Sequence, residues 1–297
     1  MRAAAILGLG CSVKDLRPFQ ISETIDWRIG VPSPNDHVDV ILLFGGDGTI
    51  HRHLASLAGL ALPVLIVPTG SGNDFASSLG LRCVRDSLAA WESFCRAANN
   101  VHAVDLGAIT PLNTAAESTA PQTYFCCVAG VGLDGEVARR ANGLPRWLRG
   151  HGGYALSAIP TILTFAPLPM KISIPSEARN GVTPDWIPHS DRPMMLAAFA
   201  NTPLYGGGMR VAPEAKMDDG LFDVCLVADV SPFKLFCLFP TVYAGRHLSV
   251  KEVEYFKTAR VRLETEHPLD VYADGEYVCR TPIDVSIAPG ALRVVTI

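Results

Sequence analysis

The chain is short of several things that other protein classes need. Only 18% of its 297 residues are charged, with 25 Lys and Arg against 29 Asp and Glu, a net charge of −4. With no basic block, this balance argues against a nucleic-acid partner. The eight cysteines, at positions 11, 83, 95, 126, 127, 225, 237 and 279, form no CxxC pair. That argues against a zinc or disulfide framework and for a reduced, cytoplasmic chain. The uncharged stretch Gly152–Met170 is broken by Pro160, Pro167 and Pro169, which argues against an integral membrane span. The leading MRAAAILGLGC has an apolar stretch, Ala3–Gly10, at the short limit of a signal sequence, and reads instead as a first buried strand. No G-x-x-x-x-G-K-[ST] occurs, which excludes a P-loop nucleotidase, and Gly8-Leu9-Gly10 is followed by Val13 where a dinucleotide fingerprint has its third glycine.

What is present is a core. Apolar residues make up 48% of the chain, and its length suits one large domain or two ordinary ones. The first hundred residues alternate. Val38–Phe44 is a continuous apolar run, Ile50, Leu54 and Leu57 share a helix face, Leu62–Val67 is a second strand, and Arg85–Ala98 a further amphipathic helix. This pattern predicts a parallel sheet with helices on its faces. From about Asp105 the texture becomes short β-rich runs separated by Gly, Pro and Asp-Gly turns, which predicts an antiparallel sandwich. Helical stretches at Pro145–Phe165 and Ser231–Gly245 interrupt it, and Glu177–Arg192 reads as a polar, Pro-rich loop. The expected fold class is therefore α/β plus all-β, with an α/β domain over residues 1–104 and a β-sandwich domain over 105–297.

Two glycine-rich loops each join a buried strand to a helix. The first is Gly45-Gly46-Asp47-Gly48-Thr49, the second Pro68-Thr69-Gly70-Ser71-Gly72-Asn73-Asp74. Glycine lets backbone approach a ligand and adopt positive φ, and the start of a helix offers unpaired N–H groups to an anion. Thr49 is placed to cap the helix or to donate to a phosphate. Asp47 would repel a bare anion, but suits a Mg²⁺ ion or a nucleotide hydroxyl. A right-handed crossover puts both loops on one edge of the sheet. Either loop alone also reads as a tight turn that merely needs glycine.

The order GGDGT, PTGSGNDFA, AGVGLDGEVARRA (129–141), NTPLYGGGMRVAPEAKMDDGLFDVCLV (201–227) and VYADGEYV (271–278) resembles the diacylglycerol kinase catalytic-domain family. That family includes diacylglycerol, sphingosine and ceramide kinases and bacterial lipid kinases. The resemblance implies an α/β domain followed by a β-sandwich, with ATP in the cleft. It implies that Gly45, Gly46, Asp47, Gly48, Thr49, Gly70, Ser71, Gly72 and Asn73 bind ATP. Ser71 stands where the family more often has Thr. The resemblance further implies that Glu276 is the proton acceptor with Asp274 beside it, and that a structural Mg²⁺ sits at Asp219 with carbonyls of Lys216 and Leu221. From residues alone, Asp274-Gly275 is also a plain hairpin turn and Asp218-Asp219-Gly220 a solvated one. Asp134 matches a recurring acidic position of the family.

The expected activity is transfer of the γ-phosphate of ATP, with Mg²⁺, to a hydroxyl of diacylglycerol or a sphingoid-type lipid. The expected protein is cytoplasmic, touches the membrane surface to collect its substrate, and leaves a homodimer open. The uncharged Tyr154–Phe165 helix and the Phe233, Phe236, Phe239 and Tyr243 stripe are candidates for a lipid slot. Arg139, Arg140, Arg146 and Arg149 form a basic cluster that suits anionic headgroups or a solvated face. Before GGDGT the chain is shorter than the family's, and ILGLGCSVKDL replaces its Asn-Pro-x-x-Gly turn. Two alternatives follow: an NAD kinase-like enzyme, which shares GGDGT, and a catalytically impaired lipid- or nucleotide-binding homologue.

Overall fold

A computed structural model describes residues 1–112, 122–143, 154–176 and 185–297. Its residues group into two compact units. The first comprises Met1–Leu106 together with Pro289–Ile297, the second Gly107–Ala288. The chain thus passes from one unit to the other within β5 (Val101–Pro111) and back within β15 (Ile283–Val295). Residues 289–297, assigned by sequence to the second domain, belong to the first unit.

The first unit is built on parallel strands. β1 (Arg2–Leu7) lies between β2 (Asp26–Ile29) and β3 (Val40–Gly45), β3 pairs with β4 (Pro63–Pro68), and β4 with the end of β15. Every residue of β3 and β4 is buried, which explains their uninterrupted apolar sequence. Helices α2 (Asp47–Leu60) and α4 (Val84–Ala97) follow β3 and β4, and a short α3 (Asp74–Ser78) precedes α4. α2 buries Ile50, Leu54 and Leu57, the predicted face. α4 buries Trp91, whose indole N–H donates to the carbonyl of Phe19 at 2.7 Å, so a large apolar side chain also satisfies its one polar atom. Between β1 and β2 the chain makes a four-residue helix, α1 (Val13–Leu16), closed by a Ser12–Asp15 capping box, and a 3-10 turn over Arg17–Phe19. The four-residue β2 has no buried position and was not legible as a strand.

The second unit is antiparallel. β9 (Trp186–Ala200) organises it. Its first half pairs with β8 (Leu168–Pro175), and its second half with both β7 (Val128–Gly132) and β10 (Phe222–Ala228). Through β7 the sheet continues to β13 (Asp270–Ala273) and β14 (Glu276–Arg280), through β10 to β11 (Val253–Thr258), and through β8 to β12 (Arg260–Thr265) and β15. One long strand thus serves two sets of neighbours, as a sandwich corner requires. Side chains from both sets, among them Phe199, Phe222, Val271, Ile172, Leu263 and Val285, form one core.

The expectation of a loop over Glu177–Arg192 fails where it can be checked. Residues 186–192 are strand, and 177–184 lie outside the described residues. Pro188 and Pro193 are tolerated because that half of β9 pairs with β8 alone, leaving the side without a donor unpaired. Helices α5 (Leu133–Asn142), α6 (Tyr154–Thr164) and α7 (Pro232–Val242) complete the unit. α5 was not foreseen. α6 and α7 fall within predicted helical stretches, with the part of the first before Tyr154 outside the described residues.

Candidate functional site

In the first unit the two glycine loops leave neighbouring parallel strands at the same edge, with Gly45 in register with Pro68. They are packed backbone against backbone. A Cβ on Gly46 would stand 2.3 Å from the carbonyl of Gly72, and one on Gly70 would stand 2.5 Å from the Cα of Gly46. None of Gly45, Gly46, Gly48, Gly70 and Gly72 has positive φ. These glycines are required by closeness, and the expected left-handed backbone is absent. Gly46, not Thr49, occupies the N-cap of α2, so Asp47, Gly48 and Thr49 form its first turn. Thr49 instead fills the space left by Gly45 and Gly8, and any side chain at either glycine would collide with it. Gly8 also donates its N–H to Phe44 at 2.7 Å, so the replaced N-terminal turn is seated against the first loop.

Asp47 resolves the puzzle of an acid beside an anion site. Its carboxylate accepts the N–H of Asp74 at 2.9 Å and of Phe75 at 3.1 Å, and its own N–H donates to Gly72 at 3.0 Å. The charge is spent on the start of α3, where it also meets the positive end of the helix dipole. Asn73 closes the second loop on itself, bonding both the N–H and the carbonyl of Gly70. In the first turn of α2, braced in this way, the N–H groups of Asp47 and Thr49 are held by the carbonyls of Gly72 and Gly46 at 3.0 and 2.8 Å, with the Gly48 N–H between them. Cys11 reaches Thr69 at 3.1 Å between the sulfur and the hydroxyl oxygen, which brings the N-terminal turn to the second loop as well.

In the second unit Asp274 and Gly275, with φ of 51° and 83°, form the two-residue turn between β13 and β14. The Asp274 carboxylate accepts the N–H groups of Cys127 at 2.8 Å and Cys126 at 2.9 Å, and its own N–H donates to Val128 at 3.0 Å. Asn201 holds the same corner from the other side, donating its side-chain N–H to Cys126 at 3.0 Å and its backbone N–H to Cys127 at 2.8 Å. Asp274 is therefore a brace, and the exposed carboxylate it presents is that of Glu276. Cys126 also directs its thiol at the Asp274 carboxylate, 3.5 Å away, while the rest of the hold is through backbone N–H groups that no side-chain pattern could have announced.

A cavity lies within this unit, lined by Val137, Ala158, Ile162, Leu235, Phe239 and Val242 among others. The predicted slot helices α6 and α7 both contribute. Asp134 and Tyr205 share its wall and are hydrogen-bonded to each other, and burial, then Asp134, raises the Tyr205 hydroxyl well above its ordinary pKa. Gly130 makes room for Asp134, since a Cβ there would lie 2.2 Å from its carboxylate. Phe239 lines the cavity and packs edge-on against Tyr243, while Phe233 and Phe236 face outward. Arg139 and Arg140 both pair with Glu136, at 2.7 and 2.8 Å, as on a solvated helix face. Arg146 and Arg149 lie outside the described residues.

The expected metal site does not match its surroundings. One oxygen of Asp219 accepts the N–H of Leu221 at 3.2 Å, and the other lies 3.0 Å from the Lys257 ammonium. The carboxylate that would bind Mg²⁺ is already committed, and a second cation beside Lys257 would be repelled. Burial raises the carboxyl of the neighbouring Asp223, against the pull of Tyr255 and Lys257.

An α/β unit with paired glycine loops at one strand edge, followed by an antiparallel unit with an apolar cavity, is the fold of the NAD kinase and diacylglycerol kinase class. Residues 31–109 match the diacylglycerol kinase catalytic domain, and residues 127–296 the YegS C-terminal NAD kinase beta sandwich-like domain. A Mycobacterium tuberculosis protein named "Diacylglycerol kinase" is 32% identical over 262 residues, covering 86% of this chain and 76% of that one. A Chromohalobacter salexigens protein named "Probable lipid kinase YegS-like" is 27% identical, over 85% and 74%. Among solved structures, a diacylglycerol kinase from Bacillus anthracis superposes with a TM-score of 0.63 at 18% identity, covering all of this chain and 96% of that one. An NAD kinase from Archaeoglobus fulgidus in complex with ATP gives 0.55 at 14%, covering all of this chain and 94% of that one. The chain belongs to the diacylglycerol kinase family of lipid kinases.

Proposed function

We propose that this protein transfers the γ-phosphate of ATP, carried as its Mg²⁺ complex, to a hydroxyl of diacylglycerol or of a sphingoid-type lipid. The observation that carries the acceptor class is the cavity of the second unit. Its lining is aliphatic and aromatic apart from Asp134, Tyr205, His247 and the Cys225 thiol. Burial pushes the Cys225 thiol up to about 12 and lowers the pKa of His247, so both favour their neutral forms. An acyl or sphingoid chain suits such a lining, whereas the dinucleotide of an NAD kinase would leave phosphates and ribose hydroxyls facing hydrocarbon.

The first unit supplies the donor side. The triphosphate lies against Gly45–Thr49 and Gly70–Asn73, with the Gly48 N–H and the dipole of α2 directed at the phosphates. Asp47 is a positioning residue in this reading. Glu276 takes the proton of the lipid hydroxyl as its oxygen bonds to the γ-phosphorus and the bond to ADP breaks. Asp274 fixes the turn from which Glu276 projects. Asp134, polar and buried at the cavity wall, orients the headgroup.

Substrate collection at a membrane surface fits helices α6 and α7. They pack together, contribute Ile162 and Leu235 to the cavity, and expose Ile159, Leu163, Phe233 and Phe236. No helix among the described residues is long and apolar enough to cross a membrane. The test is transfer of label from γ-labelled ATP to mixed lipid micelles, with wild type beside Glu276→Ala. Labelled lipid with wild type and none with the variant supports the proposal, and the labelled species names the acceptor. Label on NAD with none on lipid would sink it.

A further inference from the structure

At the turn where the family resemblance places a structural divalent cation, a cation is already supplied by the chain. Lys257 stands on β11 directly across from Asp223 on β10. Its ammonium lies 3.0 Å from Asp219 Oδ2, 3.4 Å from the carbonyl of Glu214 and 3.5 Å from Asp223 Oδ2. Two of its three N–H donors bond Asp219 and Glu214, and Asp223 Oδ2 lies at ion-pair distance. The Asp223 side chain is 0% exposed, and its other oxygen accepts the hydroxyl of Tyr255. A fully buried carboxylate needs a compensating charge from within the fold, and Lys257 provides it.

We propose that the Lys257 ammonium takes the structural place of a divalent cation, holding the 214–221 segment to strands β10 and β11 so that this turn keeps its shape without metal. Glu214 and Asp219 both lie on the segment between β9 and β10, and the Lys257 side chain contacts both while facing Asp223. A magnesium ion demands six oxygens in an octahedron at about 2.1 Å. To share Asp219 Oδ2 it would have to approach the ammonium within about 5 Å, and the two positive charges would oppose each other. Nothing here depends on which lipid is the acceptor, and the ion that travels with ATP is a separate one.

The test uses the full chain without nucleotide. Thermal unfolding is followed in EDTA and in millimolar MgCl₂ for wild type, Lys257→Met and Lys257→Arg. Wild type and Lys257→Arg are expected to unfold at the same temperature in both media. Lys257→Met keeps the stem and loses the charge. It is expected to unfold about 4 °C lower in EDTA and to regain most of that in MgCl₂, because the vacated site can then take the ion. A wild-type midpoint that drops in EDTA overturns the proposal, as does a Lys257→Met protein as stable as wild type in EDTA. Should Lys257→Met fail to fold, calorimetric titration of MgCl₂ into wild type and Asp219→Asn decides the matter. No binding heat is expected from either, and a saturating isotherm in wild type that Asp219→Asn removes overturns the proposal.

Discussion

Asp47 and Asp274 stand in the same dipeptide, Asp-Gly, and make the same bonds. Each carboxylate takes two consecutive backbone N–H groups from a distant segment, Asp74 and Phe75 in one unit, Cys126 and Cys127 in the other. Their surroundings differ. Asp47 lies in the first turn of a helix and locks two glycine loops together, leaving a surface made of backbone. Asp274 lies at positive φ in a hairpin and leaves the carboxylate of Glu276 exposed two residues later. One kind of brace thus serves two ends: a rigid cradle of backbone, and a mount for a single exposed carboxylate. Acidity in a glycine turn is therefore a poor guide to catalysis until the N–H groups around it are counted.

The comparison breaks most visibly at Glu276. Glu276→Ala should lower kcat about 10²- to 10⁴-fold while leaving the urea midpoint and ATP binding at wild-type values, since the side chain is exposed. A parallel loss of stability would mean that Glu276 is a third brace. Next is Gly46→Ala, where the new methyl meets the Gly72 carbonyl and forces the loops apart. Urea unfolding should show a loss of about 1–3 kcal/mol, and ATP titration weaker binding. Unchanged ATP binding would remove the cradle from the reaction.

Asparagine at each brace gives a finer contrast. Asp47→Asn and Asp274→Asn each turn one acceptor into a donor facing an N–H, at a cost of about 1–3 kcal/mol in urea. The first should raise the KM for ATP and the second should lower kcat with little change in that KM. The reverse split would exchange the roles assigned to the two turns. The smallest expected effect is at Phe233, 77% exposed on α7. Phe233→Ser should leave stability within about 0.5 kcal/mol and slow phosphorylation of lipid in vesicles, but not of a soluble short-chain analogue. Equal slowing on both would place Phe233 in the cavity's function and not in membrane contact.

The glycine loops were legible because their spacing, between two apolar strands, repeats a local pattern that sequence carries directly. The strands of the second unit were legible for the same reason. What the loops do with their glycines was not legible, because the closeness of Gly46 to Gly70 belongs to the pairing of β3 with β4. Asp47 was read as a partner for a metal or a nucleotide hydroxyl since the backbone N–H groups that donate to it lie 27 and 28 residues away. Lys257 gave no signal at all, being one lysine in a strand with an unremarkable pattern, until β11 placed it across from Asp223. The first half of β9 was hidden by prolines that only a one-sided strand accepts.

The return of residues 289–297 to the first unit has a consequence for how the protein is made. The sheet of that unit ends on Arg293 and Val294 beside Pro63 and Val64, and Asn100 donates its side-chain N–H to the carbonyl of Thr296 at 2.6 Å. During synthesis those partners emerge only after the whole of Gly107–Ala288 has left the ribosome. The first unit, first to be translated, must therefore wait with an open strand edge while its neighbour forms. It reaches its final state last, which couples the maturation of the first unit to completion of the second.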